Sequence, residues 1–187
     1  LIFKDPRHFL SVENEKERYL LHENHFENLG YQEFLLPVVQ WVQMTLPTSS
    51  HGLDYGCGPG PVLAKMLTTA GFQMTLYDPF FANNPLALEQ KYDFVTCTEA
   101  AEHFFSPEQE FQKLAQLLKE KTDSVFLFIM TSLHQGPEAF ASWHYRQDPT
   151  HVCFYSQKTF HFIAEKWGWE VEFHSTTKAL LKFSRSR

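Results

Sequence analysis

The chain has 187 residues, of which 43% are apolar and 20% charged, and a net charge of −6 at neutral pH. That length suits one domain with a single good core, and the absence of a basic run speaks against the phosphate-neutralising stripe of a duplex-binding protein. Three dispersed cysteines, Cys57, Cys97 and Cys153, exclude a disulfide framework and favour a reducing compartment.

No signal peptide or apolar run of membrane length is visible, so the expected location is the cytoplasm. The chain opens at Leu1 instead of methionine, as a segment of a longer protein would. Nineteen phenylalanines and four tryptophans either thicken the core or line an aromatic pocket, and the core has the better prior.

In chain order, Ser11 to Leu29 reads as a polar, charged helix. Tyr31 to Leu46 reads as a second helix, with Phe34, Leu35, Val38, Val39 and Val42 on one stripe and Pro37 as a kink or break. Residues 1–48 are therefore expected to form a helical lid, with Arg18, Tyr19, His22 and Asn24 placed to fold over a site in a core spanning 49–187. His51 to Tyr55 is a short strand that runs into the turn Gly56-Cys57-Gly58-Pro59-Gly60. Val62 to Ala70 is a helix stopped by Gly71. Phe72 to Tyr77 is an apolar strand ending at Asp78, and Tyr92 to Thr98 is another. Thirteen residues between Asp78 and Tyr92 leave little room for a full crossover, so a reduced strand is expected near Leu86 to Leu88.

Ser106, Pro107 and Gln109 spell a helix start with a capping box, and Phe111, Leu114, Leu117 and Leu118 form its apolar face. Val125 to Met130 has the continuous apolar run of a strand covered on both faces. Ser156 to Trp167 is a helix ended by Gly168. Trp169 to His174 and Ala179 to Phe183 are two closing antiparallel strands, and Lys178, Lys182, Arg185 and Arg187 read as a solvated basic tail. The alternation of strand and helix implies a mainly parallel sheet with helices on both faces.

The strongest local signal is Leu53-Asp54-Tyr55-Gly56-Cys57-Gly58-Pro59-Gly60. Glycines let the backbone turn sharply and approach a ligand, and the N-terminus of the next helix suits an anionic group. A dinucleotide fingerprint needs glycine at position 61, where Pro61 stands. Instead an acid, Asp54, precedes the first glycine and suits a cationic ligand end. A second acid, Asp78, lies 24 residues on, after one strand–loop–helix–strand unit, and suits ribose hydroxyls. A plain glycine-rich turn with two incidental acids is the ordinary alternative.

Over roughly residues 50 to 183 this layout resembles class I S-adenosylmethionine (SAM)-dependent methyltransferases. The resemblance implies an α/β, Rossmann-like fold with a seven-stranded sheet and an antiparallel C-terminal hairpin. It implies that Asp54, Gly56, Gly58 and Gly60 cradle the methionyl part of SAM and that Asp78 holds the ribose. The adenine side is left unassigned because its usual loop is short here.

A second constellation is Glu99-Ala100-Ala101-Glu102-His103. On a helix these residues would share one face, and paired carboxylates with an imidazole invite a divalent cation. The segment resembles the E-x-x-E-H of ubiquinone-pathway O-methyltransferases and of small-RNA 2′-O-methyltransferases. That resemblance implies a metal (Mg, Mn or Zn) on Glu99, Glu102 and His103, with a later histidine. His151, in Asp148-Pro149-Thr150-His151, is the best fourth ligand, ahead of His134 and His144. The ordinary alternative is a solvated helix start with His103 half buried. An H-x-x-E-H protease reading fails because position 99 is glutamate and the glycine loop would go unexplained.

For a hydroxyl acceptor, His103 or His151 would act as general base, unless a metal lowers the hydroxyl's pKa. Trp143 and Tyr145 could stack on a planar acceptor and Arg146 could hold an anionic group; packing under the loop is the competing reading. The expected function is methyl transfer to a small-molecule hydroxyl, with nucleic acid a weak candidate. Nitrogen, carbon or macromolecular acceptors, and a non-catalytic SAM-binding protein, are the alternatives. The opening Leu1-Ile2-Phe3-Lys4-Asp5-Pro6-Arg7 resembles the segment after a zinc ribbon in some bacterial relatives, with no ribbon cysteines present.

Overall fold

The computed structural model describes residues 1–21, 24–120, 125–174 and 178–185. The first strand, β1 (Ile2–Phe3), is followed by helices α1 (Val12–Tyr19) and α2 (Leu29–Thr45). The alternating core follows as β2 (His51–Tyr55), α3 (Val62–Thr69), β3 (Gln73–Tyr77), β4 (Phe94–Thr98), α4 (Pro107–Leu117) and β5 (Phe126–Ser132). The chain closes with α5 (Pro137–Ser142), β6 (Cys153–Phe154), α6 (Gln157–Trp167), β7 (Trp169–Phe173) and β8 (Lys178–Arg185).

The main sheet has the order β3-β2-β4-β5-β8-β7. Strands β3, β2, β4 and β5 run parallel, and β8 is antiparallel to both of its neighbours. The antiparallel closing hairpin is thus as expected, but the main sheet has six strands among the described residues where seven were expected. Pro85–Leu88 forms a 3₁₀ turn instead of a reduced strand. Proline opens that turn without an N–H, and the Asn84 side chain caps the Leu86 N–H, so the segment cannot extend the sheet beyond β3.

Alternate residues of the central strands feed two cores. Val95, Cys97, Leu127 and Ile129 pack with α4 and α6 on one face, whereas Phe94, Phe128 and Met130 pack with α2 and α3 on the other. The helix α2 passes through Pro37 without a break and buries Leu35, Val38, Val39, Trp41 and Val42. The long N-terminal helix splits: α1 ends at Tyr19, and Asn28 starts α2 by accepting from the Tyr31 N–H at 3.1 Å. Lys182 is held in the sheet by an ion pair with Glu172 at 2.7 Å, so this part of the basic tail is structural; Arg187 lies outside the described residues.

The helix caps differ from expectation at one position. Ser106 makes no capping bond, because its ψ of 74° is far from the extended values of Ser11 (158°) and Ser156 (166°) that bring a hydroxyl over the first turn. Ser156 forms a full box with Thr159, and Gly168 closes α6 in the left-handed region. Replacing Ser156 with alanine is expected to cost about 1 kcal/mol, read as a lower urea midpoint at unchanged slope. A change under about 0.3 kcal/mol would show that the box carries no stability.

The short strand β1 pairs antiparallel with β6, Ile2 opposite Phe154 and Phe3 opposite Cys153. Two-residue strands carry no periodicity, so this pairing was invisible in the sequence. It matters because Val152 donates to the Glu102 carbonyl at 2.9 Å while Lys4 donates to the Val152 carbonyl at 2.8 Å. The neighbouring His151 is thereby fixed beside Glu102.

Candidate active site

A cavity of about 770 Å³ opens at the C-terminal ends of β2, β3 and β4, where ligands bind in open parallel sheets. Its floor is the glycine loop. Gly56 and Gly58 are left-handed, with φ of +76° and +65°. A Cβ on Gly56 would lie 2.7 Å from that of Ala100, and one on Gly60 would lie 1.9 Å from the Asn24 carbonyl oxygen. These are close backbone approaches that only glycine allows. Pro61 gives α3 no side-chain cap of its own, and of the first-turn N–H groups that of Ala64 is taken by the Asp54 carboxylate and that of Val62 by the Gly60 carbonyl at 2.7 Å.

Asp54, one residue before the end of β2, is almost fully buried, and Thr96, its register neighbour on β4, donates to it from Oγ1 at 2.9 Å. Burial pushes the Asp54 carboxyl up to about 6; the Thr96 hydroxyl and the Ala64 N–H oppose this, and Asp78 adds to it. No salt bridge reaches Asp54 among the described residues. Asp78 accepts from the N–H groups of Gly58 (3.0 Å), Phe80 (2.8 Å) and Phe81 (3.0 Å). A carboxylate has about four lone-pair sites, so Asp78 is both the staple of the glycine loop and an acceptor with one site to spare. All five residues expected from the sequence, Asp54, Gly56, Gly58, Gly60 and Asp78, line this one cavity.

The same cavity is also lined by Glu99, Glu102, His103 and His151. The helical face drawn through 99–103 is not formed. Glu99 donates its N–H to Met130 at 2.7 Å, extending the β4–β5 ladder, then turns with a φ of +48°. Only Ala101–His103 form a helical turn, and it is 3₁₀. Glu102, His103 and His151 nevertheless bring one ligand atom each to within 4.8 Å of the others, and Glu99 stands outside that group. His134 and His144 are outside it as well.

Both imidazoles are oriented by backbone carbonyls. His151 Nδ1 donates to the Tyr145 carbonyl at 2.7 Å and His103 Nδ1 to the Thr150 carbonyl at 3.0 Å. A carbonyl only accepts, so the neutral rings carry their proton on Nδ1 and their lone pair on Nε2. Burial lowers the pKa of His151, with His103 acting in the same sense and Glu102 against it. Burial raises that of Glu102, against His151 and the hydroxyls of Tyr145 and Thr131.

Three residues offered as acceptor contacts stand elsewhere, and Trp143 and Tyr145 follow the competing reading of packing under the loop. Trp143 and Tyr145 do not line the cavity. Trp143 packs on Phe140, Phe154 and Tyr145, and Tyr145 reaches inward to Glu102. Arg146 is exposed, over the Phe140 ring and bonded to the Ala141 carbonyl at 2.5 Å, so it holds no anion in the cavity. From the N-terminal segment, Tyr19 sets its ring edge-on to His103 at 5.2 Å, and Arg18 pairs with Asp148 at 3.0 Å. Tyr19 and Asn24 line the cavity, and His22 lies outside the described residues. The sequence reading missed Glu15, buried on α1 with its carboxylate accepting from the Tyr19 hydroxyl at 2.6 Å, and Thr131 beneath Glu102. A lone glutamate in a polar helix gives no signal of burial.

No helix among the described residues is long and apolar enough to cross a membrane. Residues 24–173 match the family model described as a methyltransferase domain. No curated protein matches the sequence. Among solved structures, magnesium protoporphyrin IX methyltransferase from Synechocystis PCC 6803, crystallised with bound SAM, is 19% identical, with 96% of this chain and 94% of that one covered at a TM-score of 0.60. A protein of Pyrococcus horikoshii OT3 is 12% identical over 91% and 99% of the two chains at 0.61. A SAM-dependent methyltransferase from Archaeoglobus fulgidus is 22% identical over 75% and 73% at 0.53. At these identities the structural likenesses speak for the fold, whereas the family match spans most of the sequence. The chain belongs to the methyltransferase-domain family and carries the Rossmann-like fold of class I SAM-dependent methyltransferases.

Proposed function

We propose that this protein uses SAM to methylate a hydroxyl of a small-molecule acceptor, with a divalent metal at Glu102, His103 and His151. The observation that carries the reading is one cavity lined both by the glycine loop with Asp54 and by the oriented histidines. A non-catalytic SAM-binding protein would have its acceptor side closed.

The residues fit SAM. Asp54 is a buried carboxylate without a cationic partner among the described residues and suits the methionyl ammonium. The α3 N-terminus suits the methionyl carboxylate, and Asp78 retains one acceptor site for a ribose hydroxyl. When bound, SAM supplies an electrophilic methyl group on a sulfonium. The chain's task is then to align the acceptor and take up its proton, and alignment contributes several kcal/mol, up to about 10. Without a metal, His151 or His103 would accept that proton at Nε2; with one bound, the same lone pairs would be its ligands and the proton would leave a hydroxyl already acidified by the cation.

The Glu102–His103–His151 set also fits a metal. Two Nδ1-anchored imidazoles and one carboxylate match a three-ligand catalytic site with an open position, and this donor set favours zinc over magnesium. Bound there, a divalent cation would lower the pKa of the acceptor hydroxyl. Of the N-terminal segment, α1 acts as the lid, tied down by Arg18–Asp148, whereas α2 is a core helix packed on the sheet. Glu15, Glu99 and Glu102 line the cavity, and its one described lysine, Lys113, is paired with Glu110. That charge balance supports a neutral or cationic acceptor over a nucleic acid, and makes an amine the second reading. The three cysteines are free, which supports a reducing compartment such as the cytoplasm.

Calorimetric titration with SAM, before and after chelation and with added Zn²⁺ or Mn²⁺, tests both parts. Micromolar SAM binding and a single zinc site that disappears in Glu102→Ala are expected. Folded protein that ignores SAM would sink the whole reading, and SAM binding without any metal site would remove only the metal.

A further inference from the structure

We propose that Tyr145 is the positioning residue of the acceptor end, holding Glu102 and His151 in register so that the donor set converges. The proposal rests on the metal-assisted reading above. Three separate contacts from this one residue carry it. Its hydroxyl donates to Glu102 Oε1 at 2.5 Å. Its backbone carbonyl accepts from His151 Nδ1 at 2.7 Å. Its ring lies against the His151 ring, with centroids 4.1 Å apart. The other Glu102 oxygen, Oε2, accepts from Thr131 Oγ1 at 2.9 Å. Each carboxylate oxygen is therefore steered by one hydroxyl and keeps a second lone pair.

Tyr145 does not line the cavity, so it acts through the residues it holds. It sits in the 3₁₀ turn His144–Gln147, and the Trp143 ring packs against it at 4.9 Å on the way to Phe154. One turn of chain thus supplies an O–H to the acid and a C=O to the histidine. Phenylalanine at 145 would keep the ring and the carbonyl and lose only the hydroxyl, whose short bond goes to Glu102 and whose longer contacts reach Thr131 Oγ1 at 3.4 Å and Glu99 Oε2 at 3.5 Å. Outer partners of metal ligands commonly contribute about 10- to 100-fold in affinity when lost.

The test is zinc affinity by chelator competition, with the visible spectrum of the Co²⁺-loaded protein and SAM calorimetry in parallel, in wild type, Tyr145→Phe and Thr131→Val. Tyr145→Phe is expected to lose at least about tenfold in zinc affinity and to shift the Co²⁺ band, with SAM affinity unchanged within about twofold. Thr131→Val should lose zinc affinity in the same way through the other oxygen, and carries the same test if Tyr145→Phe folds poorly. Unchanged zinc affinity in the folded variants would overturn the proposal, as would parallel losses of zinc and SAM affinity, which would mean general packing. Wild type that binds SAM but no zinc would remove the metal reading and this proposal together, leaving the SAM assignment standing.

Discussion

Replacing Asp54 with asparagine is expected to lower SAM affinity at least about 100-fold while raising the melting temperature of the ligand-free protein. The opposed signs follow from one fact: Asp54 is a buried carboxylate whose pKa, for want of solvent, is pushed up to about 6. In the folded state it keeps its proton between its ordinary value of 3.8 and about 6, where the unfolded chain has already lost it. Stability therefore falls as pH rises through that window, by about 3 kcal/mol in all, and stays lower above it. Asparagine carries no such penalty. Its amide can face Thr96, whose hydroxyl then turns to the Leu53 carbonyl already 3.3 Å away. What asparagine cannot do is meet a cation, and losing one partner of a buried charged pair costs about 2–5 kcal/mol. Wild-type affinity should also drop below pH 6, by up to about tenfold per pH unit, because the proton must leave before the carboxylate can pair. Calorimetry from pH 5 to 8 reads both effects. A flat profile in wild type, or an Asp54→Asn variant that binds normally, would place the methionyl ammonium elsewhere.

The second large effect is expected at Phe111, which does not line the cavity but packs behind Phe104, which does. Its ring is fully buried between α4 and α6 and meets Phe104 (5.9 Å), Tyr155 (6.0 Å), Phe160 (6.2 Å) and Trp167 (6.2 Å). Phe111→Ala should cost about 3–5 kcal/mol, the lost transfer energy plus an unfilled cavity, or about 10 °C in melting temperature for a chain of this size. Phe111→Leu should recover much of it. The site feels the same change, because the Tyr155 hydroxyl props the Ala101 carbonyl at 2.9 Å and Phe104 follows His103 directly. If the metal proposed above binds, its affinity should weaken in Phe111→Ala more than that of SAM, since the glycine loop rests on other neighbours. A loss below about 1 kcal/mol would mean that the surrounding rings collapse into the gap.

The parts of the molecule that were legible in the sequence are those whose signal is local. The Asp54–Gly60 loop, the acid closing the next strand and the apolar strands at 53 and 125–130 each announce themselves within a few residues. Gly71 and Gly168 mark helix ends because a left-handed residue has one cheap solution. The acceptor end was read in composition but not in geometry. Helical spacing was assumed for 99–103, whereas β-ladder bonding continues to Glu99 and leaves only one tight turn for Glu102 and His103. Burial of Glu15, the Glu102 contact of Tyr145 and the β1–β6 pairing all depend on segments more than a hundred residues apart in some cases, and no short window contains them. Ser106 had the right residue type for a cap and the wrong backbone angle, which sequence does not show.

The placement of β8 bears on how the chain is made. The last described strand inserts between β5 and β7, in the interior of the sheet. During synthesis, β2 to β5 can assemble as soon as they leave the ribosome, yet β5 then waits with one open edge until residues 178–185 arrive. Such an edge is a template for foreign strands. A nascent chain stalled or cut before β8 would therefore be the aggregation-prone form of this protein, with its glycine loop already built and its sheet still open.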